Sequence, residues 1–243
     1  MKNLLIYAHP DRKFDDDTKD LAKIQIDNIL DLGWKREDII LATNFQYEHN
    51  GVKAIIAPDT LFYTFNPTLA KIKGIVYLFE QGLISDGIYF CHDFDHYQAV
   101  PITEDEIEKE LDGKDIAMAD YGRVPRWHLS CIFFKKSSRD IFELLVETTI
   151  KSQMHNEEDA MLALTENNTN GIGDRIKKLN INYNFWGGNI RSTYPMADKP
   201  IKGVHFQPVH RDRLDFFMYG KNKINQILID ERLIKLFNKY GVK

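Results

Sequence analysis

The sequence predicts an α/β fold: a three-layer sandwich around a mostly parallel central sheet. Two observations carry this. Short, unbroken apolar runs of about five residues alternate with longer segments of helical periodicity, and such runs belong to strands buried on both faces. A length of 243 residues fits one such domain, since single cores stop growing near ~250 residues. Residues 1–100 and 101–243 are expected to form two halves of that one domain.

Residues 4–8 (LLIYA) predict the first strand, and residues 17–32 a helix in which Leu21, Ile24, Ile26, Ile29, Leu30 and Leu32 recur at helical spacing before Gly33 stops it. Residues 38–43 and 52–57 predict two further strands. A helix over 67–82 opens with Pro67 in its first turn and closes on Gly82. Residues 87–91 (GIYFC) then form a strand that runs into His92-Asp93-Phe94-Asp95. Beyond it, strands are predicted at 116–119 and 129–134, a helix at 137–150 capped by Ser137 or Ser138, and a helix at 156–165 with Asn156 as N-cap. A late strand at 202–207 and an amphipathic helix at 224–240 complete the chain.

Composition narrows the function. Hydrophobic residues at 43% and charged ones at 28% match a globular protein and argue against disorder. The apolar start of the chain ends after about six residues and no run nears the ~18 of a membrane span, so a soluble, cytoplasmic protein is expected. Cys91 and Cys131 sit in apolar stretches without metal-ligand spacing and read as core residues. Charge is uneven. Residues 1–150 hold 17 basic against 26 acidic side chains, while residues 151–243 hold 15 against 10, a balance of +5. A basic C-terminal third can meet a diphosphate or a polyanion. No dinucleotide fingerprint, phosphate-binding loop or nucleophile elbow is present; Gly171-Ile172-Gly173 lacks the preceding strand and the third glycine.

Asp93 and Asp95 are the sharpest candidates, because they end a strand that climbs out of the core. If the segment stays extended, a period of two sends both carboxylates to one side and returns Phe94 to packing. Hard oxygen ligands of this kind suit Mg²⁺ or Mn²⁺. The flanks Lys71-Ile72-Lys73, Gly82 and Asp86-Gly87-Ile88-Tyr89 complete a pattern that resembles the surroundings of the DxD motif in GT-A glycosyltransferases, most of all the glycogenin-like and related small families.

That resemblance implies a metal-dependent enzyme that moves a sugar from a nucleotide-sugar, a UDP-sugar above others, to a hydroxyl acceptor. It implies Mn²⁺ or Mg²⁺ on Asp93, Asp95 and His205, where Gly203-Val204-His205-Phe206 is similar to the family's late His-Phe. It places Tyr7, Ala8 and His9 near the base and ribose with Asn44 beside them, and Lys71 or Lys73 near the donor. Glu158 and Asp159, in the acidic helix start at residues 156–160, are the implied base or sugar-contacting acids, with Glu157 left to serve the cap. The family's diphosphate-binding lysine after the histidine is missing, which leaves Arg211, Arg213 or His210 as substitutes. For the acceptor, the basic C-terminal third and an expected intracellular location suggest nucleic acid with hydroxymethylated bases; a glycan, protein or small molecule is the alternative.

Two other readings compete. Ala8-His9-Pro10-Asp11 also resembles the opening motif of LmbE-type zinc deacetylases, although Arg12-Lys13 replaces that family's following acids and no His-x-x-His appears. A non-catalytic module binding nucleic acid or glycan would use Trp127, Tyr183, Phe185 and Trp186 as stacking surfaces.

Overall fold

The computed structural model describes residues 1–16, 18–122, 126–152, 156–186, 190–205 and 231–241. An eight-stranded sheet runs in the order β3 (Glu48–His49), β4 (Val52–Ile56), β2 (Ile39–Thr43), β1 (Lys2–Tyr7), β5 (Ile88–His92), β8 (Trp127–Lys135), β7 (Ile116–Asp120) and β9 (Ile176–Lys178). Only β3 and β8 oppose the common direction, so the mostly parallel sheet is as expected.

Alternation along the strands explains why both faces are covered. Leu4 and Ile6, Tyr89 and Cys91, Ile116 and Met118, Ile132 and Phe134 pack on one side with α2 (Leu69–Glu80), α4 (Arg139–Lys151) and α5 (Glu157–Glu166). Their neighbours Ile88, Phe90, Ala117, Ala119, Cys131 and Phe133 pack on the other side with α3 (Glu104–Leu111), and Leu5 and Leu41 there meet α1 (Thr18–Asp31). A strand with a period of two and helices on both sides gives an unbroken apolar run. Helix α2 approaches β1 so closely that a Cβ at Gly74 would collide with Ile6.

Several boundaries differ from expectation for local reasons. Helix α2 begins at Leu69, with Pro67 ahead of it and Thr68 at the N-cap position. Ser138 does not cap α4 as an acceptor; its hydroxyl donates to the Lys135 carbonyl. Asn156 does cap α5, accepting from Asp159 N–H at 2.9 Å. The late strand is not part of the main sheet: β11 (Gly203–His205) lies between β10 (Phe185–Trp186) and β6 (His96–Gln98) in a separate three-stranded sheet. Residues 206 and 207, expected to extend that strand, lie outside the described residues. After the single-turn helix α6 (Ile190–Thr193), the terminal helix α7 spans Glu231–Tyr240; residues 224–230 of its expected range are likewise outside.

Helix α7 buries Leu233, Leu236 and Phe237 and is tied to α1 by a carboxylate. Asp27, 5% exposed, accepts hydrogen bonds from Lys239, Tyr240 and Asn50 and pairs with His49. Burial alone would raise its pKa, but the bonds from Lys239, Tyr240 and His49 outweigh it and hold the group below the usual carboxylate value. A lowered folded pKa means stability that is fully present above the unfolded value near ~4. It is lost as pH falls through the folded value. Asp27→Asn is therefore expected to cost about 1–2 kcal/mol at neutral pH, discounted for the exposed lysine, and the two proteins should converge near pH ~2. Urea unfolding at both pH values checks this; equal stability at neutral pH would contradict it.

Candidate active site

At the carboxyl end of β5, a central strand, the chain turns past the strand ends, where α/β folds bind their ligands. Asp93 N–H still pairs with the Ser130 carbonyl of β8 at 3.0 Å, and Asp93 O then accepts from His96 N–H at 3.1 Å. The segment is therefore a tight turn, not the extended strand that the spacing suggested. The outcome is nonetheless convergent. Phe94 is buried against Tyr7 and Phe14, while ligand atoms of Asp93, Asp95 and His205 all lie within 4.8 Å of one another.

The small sheet brings the histidine there. β6 starts one residue after Asp95, and its antiparallel register with β11 pairs His96 with His205. A side chain at Gly203 would strike the His96 ring and the Tyr183 carbonyl, so glycine permits this approach. His205 Nε2 stands 3.2 Å from Asp95 Oδ1, and its Nδ1 lies 2.8 Å from His128 Nε2 and 3.3 Å from Ser130 Oγ.

The turn is also held from beneath. Gln25 of α1 is fully buried and donates both amide hydrogens, to Phe94 O at 2.9 Å and His96 O at 2.6 Å, so that its bonds bracket Asp95. Nothing in the sequence marked this residue, because a glutamine at a core position of a helix only gains meaning from what it faces.

Lys71, 8% exposed on α2, forms an ion pair with Asp93 and donates to Leu129 O at 2.7 Å. Burial alone would lower its pKa, yet Asp93 and Glu157 hold it above the ordinary lysine value. Asp93 is raised, first by burial and then by Asp95, against the pull of Lys71. Burial would also raise Asp95, but His205 brings it below the usual range; the same pair raises His205 against its burial. The cluster thus sets two carboxylates at the turn, Asp93 answered by Lys71 and Asp95 by His205.

These groups line a cleft of about 940 Å³ that also takes in Tyr7, Ala8, His9, Phe62, Arg126, His128, Glu157 and Glu158. Tyr7 donates to Asp15 at 2.8 Å, and burial pushes its phenol up to about 12. Asn44 lies behind His9 rather than in the cleft: its side chain accepts from His9 N–H and donates to His9 O, fixing that backbone. Lys73 does not line the cleft and donates to Thr60 O. Arg211, with His210 and Arg213, lies outside the described residues.

Near the start of α5, Glu158 is fully engaged. Tyr121 OH bonds both of its oxygens at 3.0 Å, Leu129 N–H reaches it at 3.2 Å, and Arg126 pairs with it at 3.2 Å. Burial raises its pKa, opposed by those bonds. Asp159 does not line the cleft; it is half exposed and pairs with Arg126 at 3.3 Å. Glu157, expected to serve the helix cap, instead enters the cleft, 5% exposed, and accepts from Thr68 at 2.5 Å. Asn156 does the capping, which frees Glu157 for the interior.

The competing motifs find no comparable site. His9 Nδ1 accepts from Asp11 N–H at 3.2 Å. Among the described residues the only cluster of three or more metal-ligating side chains is Asp93, Asp95 and His205. Tyr183 and Phe185 are core residues, and the Trp127 indole donates to Thr165. The described basic residues of the C-terminal third are largely answered by acids of the first 150 residues. Arg175 pairs with Asp115 and Asp140, Lys177 with Asp112, Lys178 with Asp120, Lys202 with Glu106 and Lys239 with Asp27. The +5 balance is therefore not displayed by these side chains as a bare cationic face. No described helix is long and apolar enough to cross a membrane.

No family model and no curated protein matches the sequence. Solved structures do match in fold. A galactosyltransferase, LgtC, in complex with donor and acceptor sugar analogs, is 11% identical at a TM-score of 0.61, covering 98% of this chain and 96% of that one. A glycosyltransferase involved in glycosylation of the major capsid of PBCV-1 is 14% identical at 0.59, covering 90% and 99%. Mouse xyloside xylosyltransferase 1 is 12% identical at 0.53, covering 86% and 98%. At such identities the likeness establishes the fold, and the chain has the GT-A fold of these glycosyltransferases.

Proposed function

We propose that this chain is a glycosyltransferase that moves a sugar from a nucleotide-sugar to a hydroxyl acceptor, with Asp93, Asp95 and His205 holding Mn²⁺ or Mg²⁺ against the donor diphosphate. The observation that carries this reading is the meeting of two carboxylates and an imidazole from distant parts of the chain at one end of a deep cleft. That donor set fits the proposed ions. When bound, the cation would neutralise charge on the departing nucleoside diphosphate.

The chain's own residues then divide the work. Lys71 holds Asp93 in place and adds fixed positive charge beside the diphosphate. Tyr7, Ala8 and His9 offer the nucleoside its surface, with Asn44 bracing His9 from behind, so residues 1–100 supply most of the donor site. Glu157 and Glu158 face the sugar and acceptor end, in the half formed by residues 101–243. Glu158 is locked by four contacts and suits a positioning role in that wall of the cleft. UDP follows from the resemblance noted above, and the acceptor remains a hydroxyl compound. Hydroxymethylated DNA loses the support of the described basic residues, because acids already pair with most of them.

A thermal-shift panel of nucleoside diphosphates and nucleotide-sugars, with and without Mn²⁺, tests the donor reading. A ligand at ~100 times its dissociation constant should add ~2.7 kcal/mol, and that gain should need the cation. If no nucleoside diphosphate stabilises the protein, the reading fails. Incubating the donor so identified with DNA containing 5-hydroxymethylcytosine, followed by mass spectrometry of the nucleosides, tests that acceptor. Donor hydrolysis without an adduct would discard it.

A further inference from the structure

Resting on the proposed metal site, we infer that His128 is the positioning partner of His205, accepting a hydrogen bond from its Nδ1 so that Nε2 is left to face the cation. The geometry is close: His205 Nδ1 to His128 Nε2 is 2.8 Å, and His205 Nε2 points at the carboxylates, 3.2 Å from Asp95 Oδ1. An imidazole that ligates through one nitrogen must carry its proton on the other, and a neighbour that accepts this proton fixes both tautomer and ring plane.

The other neighbour of Nδ1 is less suited to the task. Ser130 Oγ, whose hydrogen goes to Asn184 Oδ1, can also accept from Nδ1–H but stands farther away, at 3.3 Å, so the 2.8 Å contact with His128 is the closer one. His128 is itself rigid. It is 1% exposed and stacks on Tyr121 with ring centroids 4.0 Å apart and planes 19° from parallel. Tyr121 is anchored in turn by Glu158. A chain of contacts therefore runs from the acidic start of α5 through Tyr121 and His128 to His205. It gives Glu158 a second use, as support for the ring that orients the metal ligand. The charged groups that act on this histidine pair are Asp93, Asp95, Lys71 and Arg126.

Two substitutions separate a positioning role from a packing role. His128→Phe keeps a ring against Tyr121 but removes the acceptor; His128→Gln carries an amide oxygen that can take the place of Nε2. Mn²⁺ binding, followed by electron paramagnetic resonance with excess UDP, should weaken about 10- to 100-fold in His128→Phe and stay within about threefold of wild type in His128→Gln. Wild-type affinity in His128→Phe would overturn the inference while leaving the metal site standing. Absence of Mn²⁺ binding in the wild type would instead remove the metal site itself. Independently of any variant's folding, nitrogen-15 spectra of the Mg²⁺-loaded wild-type protein should place the proton on His205 Nδ1 and reveal scalar coupling across to His128 Nε2. A proton on His205 Nε2 there would overturn the inference.

Discussion

Replacing Asp95 by asparagine is expected to lower sugar transfer by two to three orders of magnitude, about 3–4 kcal/mol of transition-state stabilisation, while leaving the fold intact. The fold survives because asparagine keeps an oxygen where His205 approaches Asp95, and because Gln25 fixes the turn through backbone carbonyls that the substitution does not touch. Removing one of two close carboxylates also relieves Asp93, whose pKa is raised by burial and further by Asp95. The attraction between Asp95 and His205, which holds Asp95 below the usual range, is lost at the same time and offsets that relief, so the unfolding midpoint without metal should change little. With the second anionic ligand gone, Mn²⁺ should no longer bind measurably, and wild type in excess EDTA should fall to the level of the variant. The decisive pair of measurements is transfer rate and melting temperature on the same preparation. A variant that still transfers sugar in a cation-dependent manner would remove Asp95 from the site.

The sequence exposed this site unevenly, for physical reasons. Strand β5 was visible because it is buried on both faces and so reads as one apolar run, and the two carboxylates at its end stood out against that run. His205 was found only through resemblance. Its proximity to Asp95 depends on β6 pairing with β11 across more than a hundred residues, and β6 is three residues long, too short to give a periodic signal. Glu157 was assigned to the cap because any acid in a first turn satisfies the helix dipole. What separates it from Asp159, which does not line the cleft, is the direction each faces, a property of how α5 packs on β8. Gln25, His128 and Tyr121 gave no signal, since their roles lie in partners brought together by the fold.

Lys71→Met should reveal the linkage between the buried lysine and the cation through stability. The native lysine's side chain sits 9% exposed beside an Asp93 side chain that is 35% exposed. Removing the ammonium strands a carboxylate with partial access to water. Breaking a fully buried pair costs ~3–5 kcal/mol, and the exposure of Asp93 reduces this to about 2 kcal/mol. Methionine fills the stem's volume, so the loss reflects charge rather than a cavity. A divalent cation on Asp93 and Asp95 would restore the missing positive charge. Mn²⁺ should therefore raise the melting temperature of Lys71→Met by more than it raises that of the wild type, where Lys71 already answers Asp93. Donor turnover should not recover with stability, because the lysine's charge beside the diphosphate is still absent. Melting curves of both proteins across a Mn²⁺ series measure the difference directly. Equal shifts in the two proteins would mean that Lys71 and the cation do not share Asp93, and the ion pair would then be a structural bond between α2 and the turn.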